Sequence, residues 1–147
     1  MEHTNLYING QWLEGSNKGR FDVINPATEE VLASVASAEI DDANKALDAA
    51  EEAFPKWASK TPRERSIILR KAYELMSSRL EDFAKIITLE NGKAHGDAIG
   101  EATYSAEFFR WFSEEAVRAN GLISHAPSTG ARTIVQHKPI GISLLET

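Results

Sequence analysis

How this sequence folds depends most on the run at its end, Pro139-Ile140-Gly141-Ile142-Ser143-Leu144-Leu145-Glu146-Thr147. A continuous apolar run of this kind, led in by Pro-x-Gly, is typical of a strand that is buried on both faces of a sheet. Such a strand needs neighbours on both sides, and the sequence contains nothing after it that could supply them. We therefore expect the 147 residues to be the front part of a larger protein.

The composition limits the classes of function that need to be considered. The chain is 42% hydrophobic and 26% charged, as expected for one soluble globular domain with a core of its own. Its net charge of −6 argues against a nucleic-acid partner, because that affinity rests on clustered Lys and Arg. No apolar run approaches the ~18 residues of a membrane helix, and the N-terminus is not a signal peptide. We expect no membrane association.

The sequence contains no cysteine. That excludes disulfides, thiolate metal sites and a thiol nucleophile within these residues. It also indicates reduced, cytoplasmic surroundings.

The first part of the chain predicts short strands. Residues 6–8 and 11–13 flank Asn9-Gly10, whose readiness to adopt positive φ predicts a two-residue hairpin. Residues 21–24 form a third strand that stops at Asn25-Pro26, and residues 31–36 form a fourth.

Three long helices are predicted next. The first begins near Ser37 and is kinked or ended by Pro55, which lacks a backbone donor. The second begins at the capping box Thr61-Pro62-Arg63-Glu64 and continues to the stop signal Asn91-Gly92. The third covers residues 97–119.

Apolar stripes at helical spacing define the faces that these helices are expected to bury. The first helix carries Ala43, Ala46, Leu47, Ala50, Ala53, Phe54 and Trp57, and the third carries Ile99, Ala102, Ala106, Phe109, Phe112 and Ala116. A trailing strand pair follows the third helix, so that the fold class is α+β.

Few side chains predict chemistry by themselves. None of the four histidines pairs with another His or Cys at metal-ligand spacing, and Glu114-Glu115 beside Arg118 indicates an exposed ion pair rather than an acid–base site. Asn91-Gly92-Lys93 fits either an anion cradle or a helix C-cap, and the cap is the simpler interpretation. No phosphate loop, nucleophile elbow or dinucleotide fingerprint occurs.

The third helix is unusually rich in aromatic residues. About half of them are expected in the core, and the others are expected to cover another surface or to line a pocket. They are Tyr104, Phe108, Phe109, Trp111 and Phe112.

Several ordered motifs together resemble the NAD(P)-dependent aldehyde dehydrogenases. They are Tyr7-Ile8-Asn9-Gly10-Gln11-Trp12, Asn25-Pro26-Ala27-Thr28-Glu29-Glu30-Val31, the trio Ala53, Phe54 and Trp57, Leu89-Glu90-Asn91-Gly92-Lys93, and Lys138-Pro139-Ile140-Gly141. The stretch from Phe109 to Arg118 most resembles the succinate-semialdehyde dehydrogenase branch. The resemblance covers essentially the whole chain.

The resemblance implies an α/β parent enzyme with a Rossmann-like cofactor domain that is truncated in this chain. In that family a cysteine attacks the aldehyde, hydride passes to NAD or NADP, and a glutamate-activated water releases the acid. An oxyanion-binding asparagine is expected just after Thr147. The chain then lacks every catalytic and cofactor-binding residue and is expected to be inactive alone.

The resemblance also implies a division of the chain. Residues 1–121 correspond to the strand-and-helix part of the cofactor domain, and residues 122–138 to the strand arm through which family members form dimers or tetramers. Residues 139–147 correspond to the start of the first cofactor-domain strand. Self-association and docking with the rest of the parent chain are therefore expected.

The resemblance implies a substrate-tunnel or cation-binding role for four residues. Tyr104 and Phe108 match positions that border the substrate tunnel, and packing explains Tyr104 equally well. The backbone carbonyls of Ile24 (or Val23) and Glu90 match positions that hold a monovalent cation in some members, and hard cations favour such oxygen ligands.

The alternative hypothesis assigns a different class of function. In it, the chain is a stand-alone, non-catalytic oligomerisation or interaction module that uses its aromatic helix and its edge strands.

Overall fold

The computed structural model describes residues 3–145, which form three antiparallel strand pairs and four helices. In chain order the elements are β1 (Leu6–Ile8), β2 (Gln11–Leu13), β3 (Arg20–Ile24), β4 (Val31–Ala36), α1 (Ile40–Ala58), α2 (Pro62–Ser77), α3 (Leu80–Asn91), α4 (His95–Glu115), β5 (Leu122–His125) and β6 (Arg132–Val135). The pairs are β1–β2, β3–β4 and β5–β6. The α+β class predicted from the sequence is confirmed.

The first hairpin forms at the predicted turn. Asn9 and Gly10 have φ values of 50° and 77°, so both occupy the left-handed region that a tight two-residue turn demands. Tyr7 then lies opposite Trp12, with the ring centroids 4.9 Å apart. The backbone N–H of Ala36 donates to the carbonyl of Thr4 at 2.8 Å, which ties this hairpin to the end of β4.

Helix α1 is amphipathic, but the stripe predicted to be buried is not. Leu47, Ala53 and Trp57 are exposed, and only Ala50 and Phe54 of that stripe are half-buried. Burial needs a second surface, and among the described residues α1 contacts mainly the β1 hairpin. Its start is also displaced, because Glu39 rather than Ser37 caps it, and Pro55 lies within its last turn.

The predicted second helix is in fact two helices, so residues 3–145 contain four helices where three were expected. The capping box at Thr61 is present as predicted, with Glu64 N donating to Thr61 Oγ1 at 3.3 Å. The helix ends at Ser77, because Ser78 Oγ donates to the Leu75 carbonyl at 2.8 Å and competes with the helical pattern. Helix α3 begins at Leu80 and ends at Asn91, and Gly92, whose φ is 77°, is its C-cap.

The core lies where α4 crosses α2 and α3, and small residues form it. Ala84 of α3 and Ala98, Ala102, Ala106 and Ser113 of α4 are buried. Small side chains let the helix backbones approach closely, which suits the close packing of protein interiors. Ala102 and Ala106 confirm part of the predicted stripe, whereas Phe109 and Phe112 are exposed and were wrongly placed in the core.

The tail differs from its prediction. The pair β5–β6 forms in the register Ile123 opposite Ile134, but residues 136–145 have no regular secondary structure. The predicted buried strand is therefore absent over the described part of 139–147, and Ile140 is 97% exposed. A strand requires a neighbour for its backbone hydrogen bonds, and no described strand lies beside this segment. Residues 146 and 147 lie outside the described residues.

Candidate functional site

The aromatic residues of α4 gather on the helix face opposite its buried alanines. Tyr104, Phe108, Trp111 and Phe112 recur at helical spacing and, together with Glu107, line a groove of about 320 Å³. We call this feature the aromatic groove. It contains both residues predicted to border a substrate tunnel.

The aromatic groove is mostly apolar and open. Tyr104 and Phe108 pack edge to face, with centroids 4.9 Å apart and planes at 78°. Tyr104 is 65% exposed and Phe108 is 47% exposed, so their packing within this chain leaves a large part of each residue accessible. Large exposed apolar patches are typical of surfaces that contact a ligand or another protein segment.

The only charge lining the aromatic groove is already paired. Arg110 Nε donates to Glu107 Oε2 at 2.7 Å, and Arg110 Nη1 lies 3.7 Å from Glu114 Oε1. The hydrogen bond from Arg110 to Glu107, followed by the attraction of that carboxylate, raises the pKa of Arg110 above its ordinary value. The groove therefore offers an apolar surface with an ion pair at its rim.

The two segments that carry the predicted cation ligands pack against each other. Gly92 lies so close to Pro26 that a Cβ on the glycine would come within 2.9 Å of Pro26 Cγ. Ile24 ends β3 two residues before Pro26, and Glu90 precedes Gly92 by two residues. The last carbonyls of a helix lack intrahelical partners, and Glu90 lies in the last turn of α3.

Side chains do not form a metal centre in the described part of the chain. No group of three or more His, Asp or Glu residues converges there. A cation at Ile24 (or Val23) and Glu90 would therefore depend on backbone carbonyls.

The other candidate residues have structural partners. Arg118 Nη2 lies 2.5 Å from Glu115 Oε1, which confirms the predicted ion pair. Lys93 pairs with Glu101 of α4, and Gly92 caps α3, so Asn91-Gly92-Lys93 is a helix C-cap. His95 Nε2 lies 3.2 Å from Glu81 Oε2 on the surface.

The sequence analysis missed a buried carboxylate. Asp42 is only 4% exposed and accepts hydrogen bonds from Ser16 Oγ, from Ser16 N at 2.9 Å and from Glu39 N at 3.1 Å. These bonds, led by the one from the Ser16 side chain, hold the pKa of Asp42 well below its usual range. Lys45 Nζ lies 3.5 Å from its Oδ1. Asp42 thus joins the β2–β3 loop to α1 and has a structural role.

Trp111 and Glu107 also line the aromatic groove. The sequence analysis named Trp111 only within the aromatic cluster of the third helix, and it did not name Glu107. Trp111 lies seven residues after Tyr104, which at 3.6 residues per turn returns to the same helix face. That spacing is the signal in the sequence that could have identified it.

Comparison with known proteins defines the class to which this arrangement belongs. The model of the aldehyde dehydrogenase family matches residues 12–145, almost the whole chain. These residues are therefore part of an oxidoreductase fold. The chain belongs to the aldehyde dehydrogenase family.

The similar proteins of known function include semialdehyde dehydrogenases. The NADP(+) succinate-semialdehyde dehydrogenase of Escherichia coli K12 is 40% identical over 136 residues, which cover 92% of this chain and 28% of the relative. The glutarate-semialdehyde dehydrogenase of Pseudomonas putida is 41% identical over 139 residues, covering 93% and 28%. The chain thus spans little more than a quarter of the length of these relatives.

Solved structures share the fold. An E. coli NADP-dependent enzyme superposes with a TM-score of 0.83 at 39% identity, covering 90% of this chain and 27% of the other. Betaine aldehyde dehydrogenase of Staphylococcus aureus, solved with NAD+, superposes with a TM-score of 0.79 at 28% identity, covering 86% of this chain and 26% of the other.

Within the described residues, no helix combines the length and apolar character needed to cross a bilayer.

Proposed function

We propose that the chain is the N-terminal part of an NAD(P)-dependent aldehyde dehydrogenase that oxidises succinate semialdehyde to the dicarboxylic acid. The observation that carries this proposal is the match over residues 12–145, joined to relatives that are semialdehyde dehydrogenases. The glutarate-semialdehyde relative is equally similar, and its substrate is one methylene longer. The proposal of the four-carbon semialdehyde is therefore its most specific element. We place the enzyme in the cytoplasm.

The role proposed for this chain in the reaction is to shape the approach to the reacting centre. Tyr104 and Phe108 would contact the apolar part of the aldehyde, because both are among the exposed aromatic rings that line the aromatic groove. The groove has no nucleophile, and its carboxylate is paired with Arg110. Nucleophilic attack and water activation therefore belong to other parts of the parent enzyme.

NAD or NADP, when bound, accepts the hydride that leaves the aldehyde carbon. No residue of this chain is assigned to hold the cofactor, because the sequence contains no dinucleotide fingerprint. The E. coli relative is an NADP(+) enzyme, and the S. aureus structure contains NAD+.

The chain alone is proposed to be catalytically inactive and to associate with itself and with the remainder of the parent enzyme. Ile123 and Ile134 lie opposite each other on the β5–β6 arm, and both are exposed. Exposed apolar strand residues and unpaired strand edges favour association. The same surfaces would serve the alternative function, a stand-alone oligomerisation or interaction module.

A chimera tests the proposed function directly. These 147 residues would replace the matching segment of the E. coli relative, which supplies the rest of the enzyme, and the matched segment is 28% of that relative. Reduction of NADP+ by succinate semialdehyde is the expected result, and the separate 147-residue chain should give none. A chimera that folds and assembles like the relative but reduces no cofactor would oppose the proposal.

A further inference from the structure

A cleft with a different character lies away from the aromatic groove. It has a volume of about 390 Å³ and lies between the end of α1, the first turns of α2 and the segment after β6. Its walls include Trp57, Arg65, Ala119, His137, Lys138 and Pro139. We call it the basic cleft.

The ionisable side chains that line the basic cleft are Arg65, His137 and Lys138. Among the described residues, no carboxylate lies within 4.0 Å of the Arg65 or Lys138 nitrogen atoms. Four other concavities in the described part of the chain each include an acidic side chain. In a protein of net charge −6, this cleft is therefore a local concentration of positive charge.

The guanidinium of Arg65 is held in place by the fold. Its Nη1 donates to the carbonyl of Lys60, in the turn between α1 and α2, and the residue is half-buried. One donor is used in this way, and a guanidinium carries five. The remaining donors are available for a planar oxyanion such as a carboxylate or a phosphate, which Arg binds in bidentate geometry.

The other walls of the basic cleft are apolar. Trp57 is 39% exposed, and Ala58, Ala119 and Pro139 complete the lining. An indole beside a guanidinium suits a ligand that joins a flat apolar group to an oxyanion. We propose that the basic cleft binds a small organic oxyanion, a carboxylate or a phosphate on an apolar group, with Arg65 and Lys138 holding the charge. This site does not depend on the proposed aldehyde oxidation.

The experiment titrates the full chain with phenyl phosphate, with benzoate and with phenol, following the indole N–H signals by NMR. Saturable binding of at least one of the two anions is expected, while phenol, which has the ring without the oxyanion, should bind at least tenfold more weakly. The anion that binds more tightly shows whether the site prefers phosphate or carboxylate. Equal binding of phenol, or no binding of either anion, overturns the proposal.

Matched substitutions distinguish binding in the basic cleft from nonspecific attraction of the anion to positive charge. Arg65→Gln should weaken binding of the preferred anion at least tenfold, and Arg63→Gln, two residues earlier and exposed, should leave it unchanged. Lys138→Gln provides a second test, because Lys138 lies outside the helices and strands and its loss should not disturb folding. Equal weakening by Arg63→Gln, or unchanged binding in the Lys138→Gln variant, contradicts the assignment.

Discussion

Ser16 and Asp42 form the hydrogen-bonded contact that joins the strand region to the first helix. The Ser16 backbone N–H donates to Asp42 Oδ2 at 2.9 Å, and the Ser16 hydroxyl donates to the other carboxylate oxygen. Asp42 also accepts from Glu39 N and thereby closes the capping box of α1. One buried carboxylate therefore fixes both the start of the helix and the loop that covers it.

Replacing Asp42 should destabilise the chain and change its response to acid. Asp42→Asn should lower Tm by on the order of 5 °C at pH 7. An asparagine amide has one acceptor oxygen where the carboxylate has two, so it cannot accept all the hydrogen bonds from Ser16 and Glu39. The folded-state pKa of Asp42 lies below its unfolded value of about 3.9. The contribution of Asp42 to folding stability is therefore fully present above the unfolded-state pKa and is lost as the pH falls below it. Thermal unfolding at pH 7, 5, 4 and 3 checks this.

Asp41→Asn is the matched control for Asp42, because Asp41 is exposed in the same helical turn. The wild type and the Asp41→Asn variant should both lose Tm below pH 4 more steeply than the Asp42→Asn variant. Parallel pH profiles for all three would show that Asp42 does not contribute in this way.

Gly92 should resist substitution more than any glycine within a helix. Its φ of 77° disfavours L residues, and a Cβ there would come within 2.9 Å of Pro26 Cγ. Gly92→Ala should lower the free energy of unfolding by about 1–2 kcal/mol. Gly100→Ala, in α4 with open space around the new methyl group, should instead raise it by roughly 0.5–1 kcal/mol. Urea unfolding measures both, and a similar loss in both variants would refute the role given to Gly92.

A monovalent cation should stabilise the chain if it binds the carbonyls of Ile24 (or Val23) and Glu90. Replacing tetramethylammonium chloride by sodium or potassium chloride at constant ionic strength should raise Tm, because only the folded chain brings the β3–β4 turn to the end of α3. The Gly92→Ala variant, which disturbs this contact, should respond less. Identical Tm values in all three salts would rule out a site of useful affinity.

Tyr104 should influence substrate use in the chimeric enzyme. Tyr104→Ala removes the ring that packs on Phe108 and widens the aromatic groove, and should reduce kcat/KM for succinate semialdehyde about tenfold. Thr103→Ala is the control, because its exposed side chain bonds only within α4, to the Ile99 carbonyl at 2.8 Å. Steady-state kinetics of both variants check the prediction, and equal effects would assign Tyr104 to packing alone.

The parts of the fold that the sequence predicted well are local. The Asn9-Gly10 turn and the Thr61 capping box depend on residues within four positions of each other, so the residue types determine the geometry. The break at Ser78 is also local. It was missed because the apolar stripe continues through Phe83 and masks the Ser77-Ser78 pair.

Features that depend on distant residues could not be predicted in this way. Ser16 and Asp42 are 26 residues apart, and no pattern in either segment indicates the other. Helical spacing identifies the apolar face of α1, but whether Leu47 is buried depends on what packs against it. For the same reason the aromatic content of α4 indicated that some rings cover another surface or line a pocket, but not which ones, and the choice of Phe112 as a core residue was wrong.

The rate of NADP+ reduction by the chimera with succinate semialdehyde tests the central claim most directly. Size-exclusion chromatography and circular dichroism would first establish that the chimera assembles and folds like the E. coli relative. We predict a kcat within about tenfold of that relative, since conserving the packing of a 40% identical segment should preserve the reacting geometry. A correctly assembled chimera with no detectable reduction would contradict the account.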